Sequence, residues 1–162
     1  MILKSPIEFP VNVNGNKLIA SVEEDVSNPV QTVYRIRFSD GYVDEFCLDD
    51  EEDSVTGDNL EESMPYAFAI RNDIAIVSSI GEDKLYHVFQ DKIDEIETNI
   101  WVIEKESELG DIFYNIYYNS FYRFEVRNSN GEWIASSSSK VNKEEINSKL
   151  AKRIGDLLYS LV

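Results

Sequence analysis

The two side chains most often used as nucleophile and base occur once each in this chain of 162 residues, as Cys47 and His87. A cysteine beside a histidine can form a thiolate nucleophile. The acids that follow Cys47 disfavour its thiolate form, and His87 alternates with Leu85 and Phe89 as in a strand. We therefore expect a histidine in the core or at its boundary and no catalytic residue.

Cofactor and metal sites lack their usual residues. A single histidine excludes a metal site built on two imidazoles. The seven glycines are scattered along the chain, so no glycine-rich phosphate loop is present. We expect no cofactor and no assigned metal ligand.

The acidic residues of the chain are unusually concentrated in one segment. The formal net charge is −16, and eleven acids without a single base lie between Asp40 and Glu62. This sign of charge disfavours direct binding to nucleic acid or to an anionic membrane, because both need clusters of basic residues. The tail from Lys140 is mildly basic, so the chain is dipolar.

The densest part of this acidic stretch is a candidate binding site. Its members are Asp49, Asp50, Glu51, Glu52, Asp53 and Asp58. Such a run could bind a basic protein partner or a divalent cation such as Ca²⁺. An EF-hand loop is not matched, because Ser54 stands where glycine should follow the third ligand. A solvated loop is the alternative, since like charges at this density repel one another.

A second candidate site is aromatic. Seven of the 19 aromatic residues fall between Phe113 and Phe124. In a strand, Tyr114 and Tyr118 would share one face and Tyr117 would lie on the other. These tyrosines could line a pocket for a small ligand or form an exposed patch for a partner. A central strand covered on both faces is the alternative.

Three β-hairpins are predicted, each from a turn sequence between alternating apolar residues. They span Ile7 to Val22, Gln31 to Leu48, and Tyr122 to Ser137, with turns at Asn14-Gly15, Ser39-Asp40-Gly41, and Asn128-Ser129-Asn130-Gly131. The first hairpin pairs apolar residues on one face, and Pro10 marks its first strand as an edge strand. The second pairs Tyr34 with Phe46. The third, with four loop residues, pairs Val126 with Trp133.

The C-terminal stretch is predicted to be an amphipathic helix. Asn142 and Glu145 form an asparagine variant of the capping box. One apolar stripe at helical spacing follows, made of Ile146, Leu150, Ile154, Leu157 and Leu161. Gly155 weakens the helix interior.

The middle of the chain fits two descriptions. Pro65 and the β-branched run at residues 74–77 favour a helix from Pro65 to Asp73 followed by a strand. The spacing of apolar residues from Tyr66 to Val77 also fits one longer helix. Strands are expected near residues 85–90, 100–105 and 112–118, and Ile93 and Ile96 leave room for a short helical turn between them.

These elements predict an α+β fold. We expect an antiparallel β-sheet built from hairpins, with the C-terminal amphipathic helix packed on one face and a short helix in the middle. No composition change long enough to be a linker divides the chain, so a single domain over residues 1–162 is expected.

The sequence also indicates a compartment. One cysteine permits no intramolecular disulfide, which favours a reducing environment. The chain starts without the apolar stretch of a signal peptide, and no apolar run approaches the length of a membrane span. We expect a cytoplasmic protein.

The function that these features favour is a non-enzymatic interaction or regulatory module that binds a basic protein partner. An inhibitor or immunity-type protein is a special case of this function. The alternatives are a small-ligand-binding domain with an aromatic pocket and a divalent-cation-dependent enzyme that uses carboxylates. Association with a second copy through the tyrosine strand or the apolar helix stripe also stays open.

Overall fold

The computed structural model describes residues 6–25, 32–48, 53–56, 60–80, 86–136 and 148–160. The chain divides into two compact units, Met1–Asp83 and Lys84–Val162. Each unit combines an antiparallel sheet with a helix, so the predicted α+β class is confirmed. The expectation of a single domain over 1–162 stays a prediction. Within the described ranges, no helix is long and apolar enough to cross a membrane.

Unit 1 is a five-stranded antiparallel meander followed by a helix. Its elements are β1 (Ile7–Val13), β2 (Asn16–Asp25), β3 (Val33–Phe38), β4 (Val43–Leu48), β5 (Asp53–Thr56) and α1 (Leu60–Ile80). The strands lie in the order β1-β2-β3-β4-β5. The helix contacts β1, β4 and β5, so it covers one face of the sheet.

Unit 2 has the same order of elements. They are β6 (Tyr86–Ile93), β7 (Ile96–Glu106), β8 (Ile112–Tyr118), β9 (Phe121–Ser129), β10 (Glu132–Ser136) and α2 (Ser148–Ser160). Its strands again form a sequential antiparallel meander, and α2 contacts β9 and β10. No repeat of the sequence accompanies this repeated topology.

The first predicted hairpin is confirmed in turn and register. Phe9 lies opposite Ala20 in the β1–β2 pair, and both are buried. Asn14 and Gly15 have φ angles of 50° and 80°, which match a two-residue type I′ turn. Strand β1 lies at an edge of the sheet, where Pro10 costs no ladder hydrogen bond.

The second predicted hairpin is also confirmed. Tyr34 lies opposite Phe46, and both side chains are buried. The Phe38 amide donates to the Tyr42 carbonyl at 2.8 Å, which closes the three-residue loop. Gly41 has a φ of 97°, the left-handed conformation that this loop requires and that glycine adopts without strain.

The register predicted for the third hairpin is wrong by two residues. Val126 pairs with Ala135 and not with Trp133. The loop contains two residues, Asn130 and Gly131, with φ angles of 53° and 87°. The Asn-Gly preference for a type I′ turn therefore determines this loop. A shift of two residues leaves each side chain on its predicted face, so the pattern of burial is unchanged.

The strand predicted at residues 74–77 is wrong. One helix, α1, runs from Leu60 to Ile80, and Ile70, Ile74 and Val77 are buried along it. The helical spacing of these apolar residues therefore outweighs the β-branched run. Pro65 lies only five residues from the start of the helix and does not end it.

No helical turn forms between Ile93 and Ile96, where the sequence left room for one. Asp94 and Glu95 form a tight turn between β6 and β7, with φ angles of 49° and 67°. Aspartate adopts positive φ more readily than β-branched residues do. The strand predicted at residues 112–118 is confirmed as β8.

The C-terminal helix is confirmed over Ser148–Ser160, with one change to its buried stripe. Leu150, Ile154 and Leu158 are buried, whereas Leu157 is 39% exposed. A step of four residues from Ile154 therefore continues the buried face, and helical geometry allows a step of either three or four. The predicted cap and the outer stripe positions lie outside the described residues (Asn142, Glu145, Ile146 and Leu161).

Gly155 allows α2 to pack closely on β10. A Cβ atom at this position would overlap the indole ring of Trp133. The glycine lowers the intrinsic stability of the helix, but it creates the space that Trp133 fills next to the core. The sequence alone shows a glycine that destabilises the helix, and the tertiary structure shows that this glycine makes room for Trp133.

We predict that Gly155→Ala lowers the free energy of unfolding. In an open helix interior the change would raise it by about 1 kcal/mol, but overpacking against Trp133 should cost about 1–3 kcal/mol. Denaturant titration measures the difference. In a Trp133→Ala background, Gly155→Ala should instead stabilise the protein. An equal loss of stability in both backgrounds would contradict the proposed contact.

Candidate functional site

Most of the predicted acidic site lies outside the described residues. This applies to Asp49, Asp50, Glu51, Glu52 and Asp58. Asp53 begins the edge strand β5, and its backbone pairs with Leu48 of β4. A binding role for these acids stays a prediction.

The three predicted tyrosines do not share one surface. Tyr118 is buried in the core of unit 2 together with Ile116 and Phe124. Tyr114 packs against the same core, and its ring centroid lies 6.1 Å from that of Trp133. Tyr117 lies on the opposite face, where a β-bulge shifts the pairing of β8 with β9.

Burial and ring contacts hold these tyrosines in place. Tyr117 contacts Tyr122 edge to face, with ring centroids 5.6 Å apart. Desolvation raises the pKa of the hydroxyls of Tyr114 and Tyr117. Arg123 donates its Nε–H to the Tyr118 carbonyl at 3.1 Å and lies over the Tyr118 ring. These contacts account for the positions of the three tyrosines, and a binding role for them stays a prediction.

The single cysteine and the single histidine both lie in β-strands. Cys47 is buried and lies opposite Val33 in the β3–β4 pair. His87 lies in β6, with its ring 6.2 Å from that of Phe89. In the described part of the chain, no group of three or more His, Cys, Asp or Glu residues could hold a metal ion.

A different site is formed where the β3–β4 turn meets α1. The rings of Tyr42 and Tyr66 stack with centroids 3.9 Å apart and planes 15° apart. Phe38 contacts Tyr66 edge to face, with centroids 4.7 Å apart. Such aromatic contacts contribute about 0.5–1.5 kcal/mol beyond the burial of area. The stack fixes the first turns of α1 against the hairpin.

Two carboxylates are held by the stacked tyrosines. The Tyr66 hydroxyl donates to Asp40 Oδ2 at 2.6 Å, and the Tyr42 amide donates to Asp40 Oδ1 at 2.9 Å. The Tyr42 hydroxyl donates to Asp44 Oδ2 at 2.7 Å, and the Glu45 amide donates to Asp44 Oδ1 at 2.8 Å. Each oxygen of both carboxylates therefore accepts a hydrogen bond.

We call Phe38, Asp40, Tyr42, Asp44 and Tyr66 the aromatic–acidic cluster. The three-residue loop places Asp40 in the turn, and strand alternation places Tyr42 and Asp44 on the face that α1 covers. Helical spacing places Tyr66 on the same side of α1 as Ile70. The cluster thus follows from the register of one hairpin and the phase of one helix.

A small depression borders the cluster, and most of its lining is apolar. It has a free volume of about 10 Å³ and is lined by Ile36, Phe38, Asp44, Glu45, Phe46, Tyr66, Ala67 and Ile70. That volume holds about one water molecule. A pocket for a small organic ligand needs several hundred Å³. This depression is therefore suited to surface contact and not to enclosing a ligand.

The cluster keeps a negative charge fixed at the surface. The hydrogen bond from Tyr66, and secondly that from the Tyr42 amide, lowers the pKa of Asp40. The two hydrogen bonds also hold the charged carboxylate in one orientation. Ion pairs of freely rotating surface side chains contribute little, partly because pairing restricts those side chains. Because Asp40 is already restricted, that entropic cost of binding a cation is smaller.

Sequence reasoning missed this site, although both of its parts were visible. The predicted three-residue loop of the second hairpin sets Phe38 opposite Tyr42, and the helical spacing of apolar residues begins at Tyr66. Only the contact between the hairpin and the helix brings the two rings together. The acidic block that contains Asp40 and Asp44 was the available signal.

Comparison of the chain with protein-family models, curated proteins and solved structures gives no match.

We predict that Tyr66→Phe raises the pKa of Asp40 towards its ordinary value of 3.8. The substitution keeps the ring stack and removes the strongest donor to the carboxylate. A lowered pKa in the folded state contributes stability above that ordinary value, and the contribution disappears as the pH falls through the lowered pKa. The stability difference between wild type and variant should therefore be largest above about pH 4.

Carbon-detected NMR titration of the aspartate carboxyl groups measures this pKa. Tyr42→Phe is the matched control, because its hydroxyl donates to Asp44 and its amide donor to Asp40 remains. An unchanged Asp40 pKa in Tyr66→Phe would contradict the described hydrogen bond.

Proposed function

We propose that this protein is a non-enzymatic interaction module whose acidic surface binds a basic protein partner. The observation that carries the proposal is the orientation of Asp40 and Asp44 by Tyr42 and Tyr66. These two acids begin the stretch of eleven acids without a base. An inhibitor that covers a basic cleft is the regulatory form of this function.

The charge distribution would affect both the choice of partner and the rate of association with it. A concentrated negative field accelerates encounter with a basic partner and disfavours acidic ones. The oriented carboxylates then offer fixed acceptors for lysine or arginine, and the tyrosine rings offer faces on which a guanidinium can stack. Charge steers the partner, and the cluster determines where it binds.

A cytoplasmic location is part of the proposal. Cys47 is the single cysteine of the chain, and it is buried in β4. A single cysteine forms no intramolecular disulfide, which is compatible with a reducing compartment.

We predict that the double substitution Asp40→Asn with Asp44→Asn weakens binding to a basic peptide about tenfold, since two oriented charges are lost. The probe is a fluorescein-labelled synthetic peptide of alternating arginine and glycine, and fluorescence anisotropy measures its dissociation constant. Asparagine keeps the size of each side chain and one carbonyl acceptor.

The matched control is the double substitution Glu108→Gln with Glu132→Gln. Both residues are exposed, both lie in unit 2, and the change in net charge is the same. The control should weaken binding only by the general effect of charge. Equal weakening in both double variants would show that bulk charge, and not the aromatic–acidic cluster, determines binding, and would overturn the proposal.

A further inference from the structure

Strand β6 lies at one edge of the sheet of unit 2. It has eight residues, contains no proline, and pairs with β7 without a bulge. The other edge strands are β1, which contains Pro10, and β5 and β10, which have four and five residues. Proline, short length and bulges protect a sheet edge against pairing with another chain. Among the strands that the structure describes, β6 is therefore the edge that lacks all three protections.

The two-residue turn between β6 and β7 determines which backbone groups of β6 face outward. Ile93 and Ile96 flank this turn and form a hydrogen-bonded pair, as a two-residue loop requires. Hydrogen-bonded and non-hydrogen-bonded pairs alternate along antiparallel strands. The N–H and C=O groups of Val88 and Gln90 therefore point away from β7, towards the outer edge of the sheet.

A carboxylate is held at the same edge. The Lys92 amide donates to Asp91 Oδ1 at 2.7 Å, which agrees with the alternation, because the backbone of Lys92 also points away from β7. The Arg153 guanidinium lies 3.0 Å from Asp91 Oδ2. Both oxygens of Asp91 are thus fixed, and each carboxylate oxygen has a second lone pair that can accept from another donor.

We infer that two copies of the chain pair through β6 about a two-fold axis, with the two Phe89 residues opposite each other. In this antiparallel register, Val88 of each copy lies opposite Gln90 of the other, and their outward backbone groups exchange hydrogen bonds. His87 of each copy lies opposite Asp91 of the other. The two sheets then form one continuous sheet. This inference does not depend on the proposed function.

Side-chain chemistry selects this register. His87 and Asp91 form a non-hydrogen-bonded pair, in which facing side chains lie closest. Histidine has an N–H donor in its neutral and in its charged form, so it can donate to the fixed carboxylate. A shift by two residues would set Asp91 opposite Phe89 or Leu85, which have apolar side chains. A shift by one residue would set outward backbone groups against inward ones.

The charge of unit 2 suits a second copy of the chain, although the whole chain is acidic. Unit 1 contains 18 acids and 5 bases, a net charge of −13, whereas unit 2 contains 13 acids and 10 bases, a net charge of −3. Strand β6 has one aspartate and one lysine. The histidine–aspartate pairs occur twice by symmetry, and such self-complementarity is what a two-fold interface between identical chains requires.

Sedimentation equilibrium of the whole chain, from micromolar to millimolar concentration, tests the inference. Wild type should convert from monomer to dimer as the concentration rises. His87→Asp sets like charges opposite each other twice across the interface and should raise the dimer dissociation constant about tenfold. Asn119→Asp is the matched control, because Asn119 is exposed in the β8–β9 turn of the same unit and the added charge is equal.

An exchange of the two residues separates pairing from other effects of the substitution. The double variant His87→Asp with Asp91→His rebuilds the complementary pair across the axis and should regain most of the lost affinity. Denaturant titration verifies that each variant folds. A wild type that stays monomeric, a double variant as weak as His87→Asp, or equal weakening by Asn119→Asp would overturn the inference.

Amide hydrogen exchange of the wild type gives a readout without any substitution. The amides of Val88 and Gln90 should exchange more slowly as the protein concentration rises, because the second copy accepts from them. The amides of His87 and Phe89 bond to β7 within each copy and serve as the internal control. A dimer that forms without this protection of Val88 and Gln90 uses another surface, and that result would also overturn the inference.

Discussion

The hydrogen bond from the Tyr66 hydroxyl to Asp40 joins the first half of α1 to the β3–β4 turn, and the candidate site depends on it. The stack of Tyr66 on Tyr42 adds a second link between the same two elements. Together they convert an acidic turn into a surface with a defined geometry. A carboxylate is otherwise free to rotate at a turn, and a freely rotating charge contributes little to recognition.

Local signals in the sequence predicted much of the fold. The Asn14-Gly15 turn and the left-handed Gly41 determined two hairpin registers, because each turn allows few loop lengths and one face of each strand is buried. The register of the third hairpin was predicted wrongly because Asn130-Gly131 fits both a four-residue loop and a two-residue loop. The two-residue loop is the one that forms. Residues 74–77 form part of a helix and not the predicted strand. Burial of apolar residues at helical spacing depends on the packing of the whole unit, and here it outweighs the local β-propensity.

The site was less predictable than the fold because it requires contacts between distant segments. Asp40 and Tyr66 are 26 residues apart, and nothing in either local sequence indicates the other. The tyrosines of β8 show the opposite case. Their density suggested a binding surface, yet Tyr118 is in the core and Tyr114 packs against it. The role of an acidic or aromatic residue in this protein therefore depends on the strand or helix that positions it, and the number of such residues in the sequence does not indicate it.

We propose that a basic partner binds at the aromatic–acidic cluster. Amide chemical shifts recorded during titration of the isotope-labelled protein with the arginine–glycine peptide would locate the binding surface. We expect the largest shift changes in residues 38–46 and 64–70, at the turn and the facing part of α1. Changes that are largest in residues 86–136, or that are equal at every exposed acid, would contradict it.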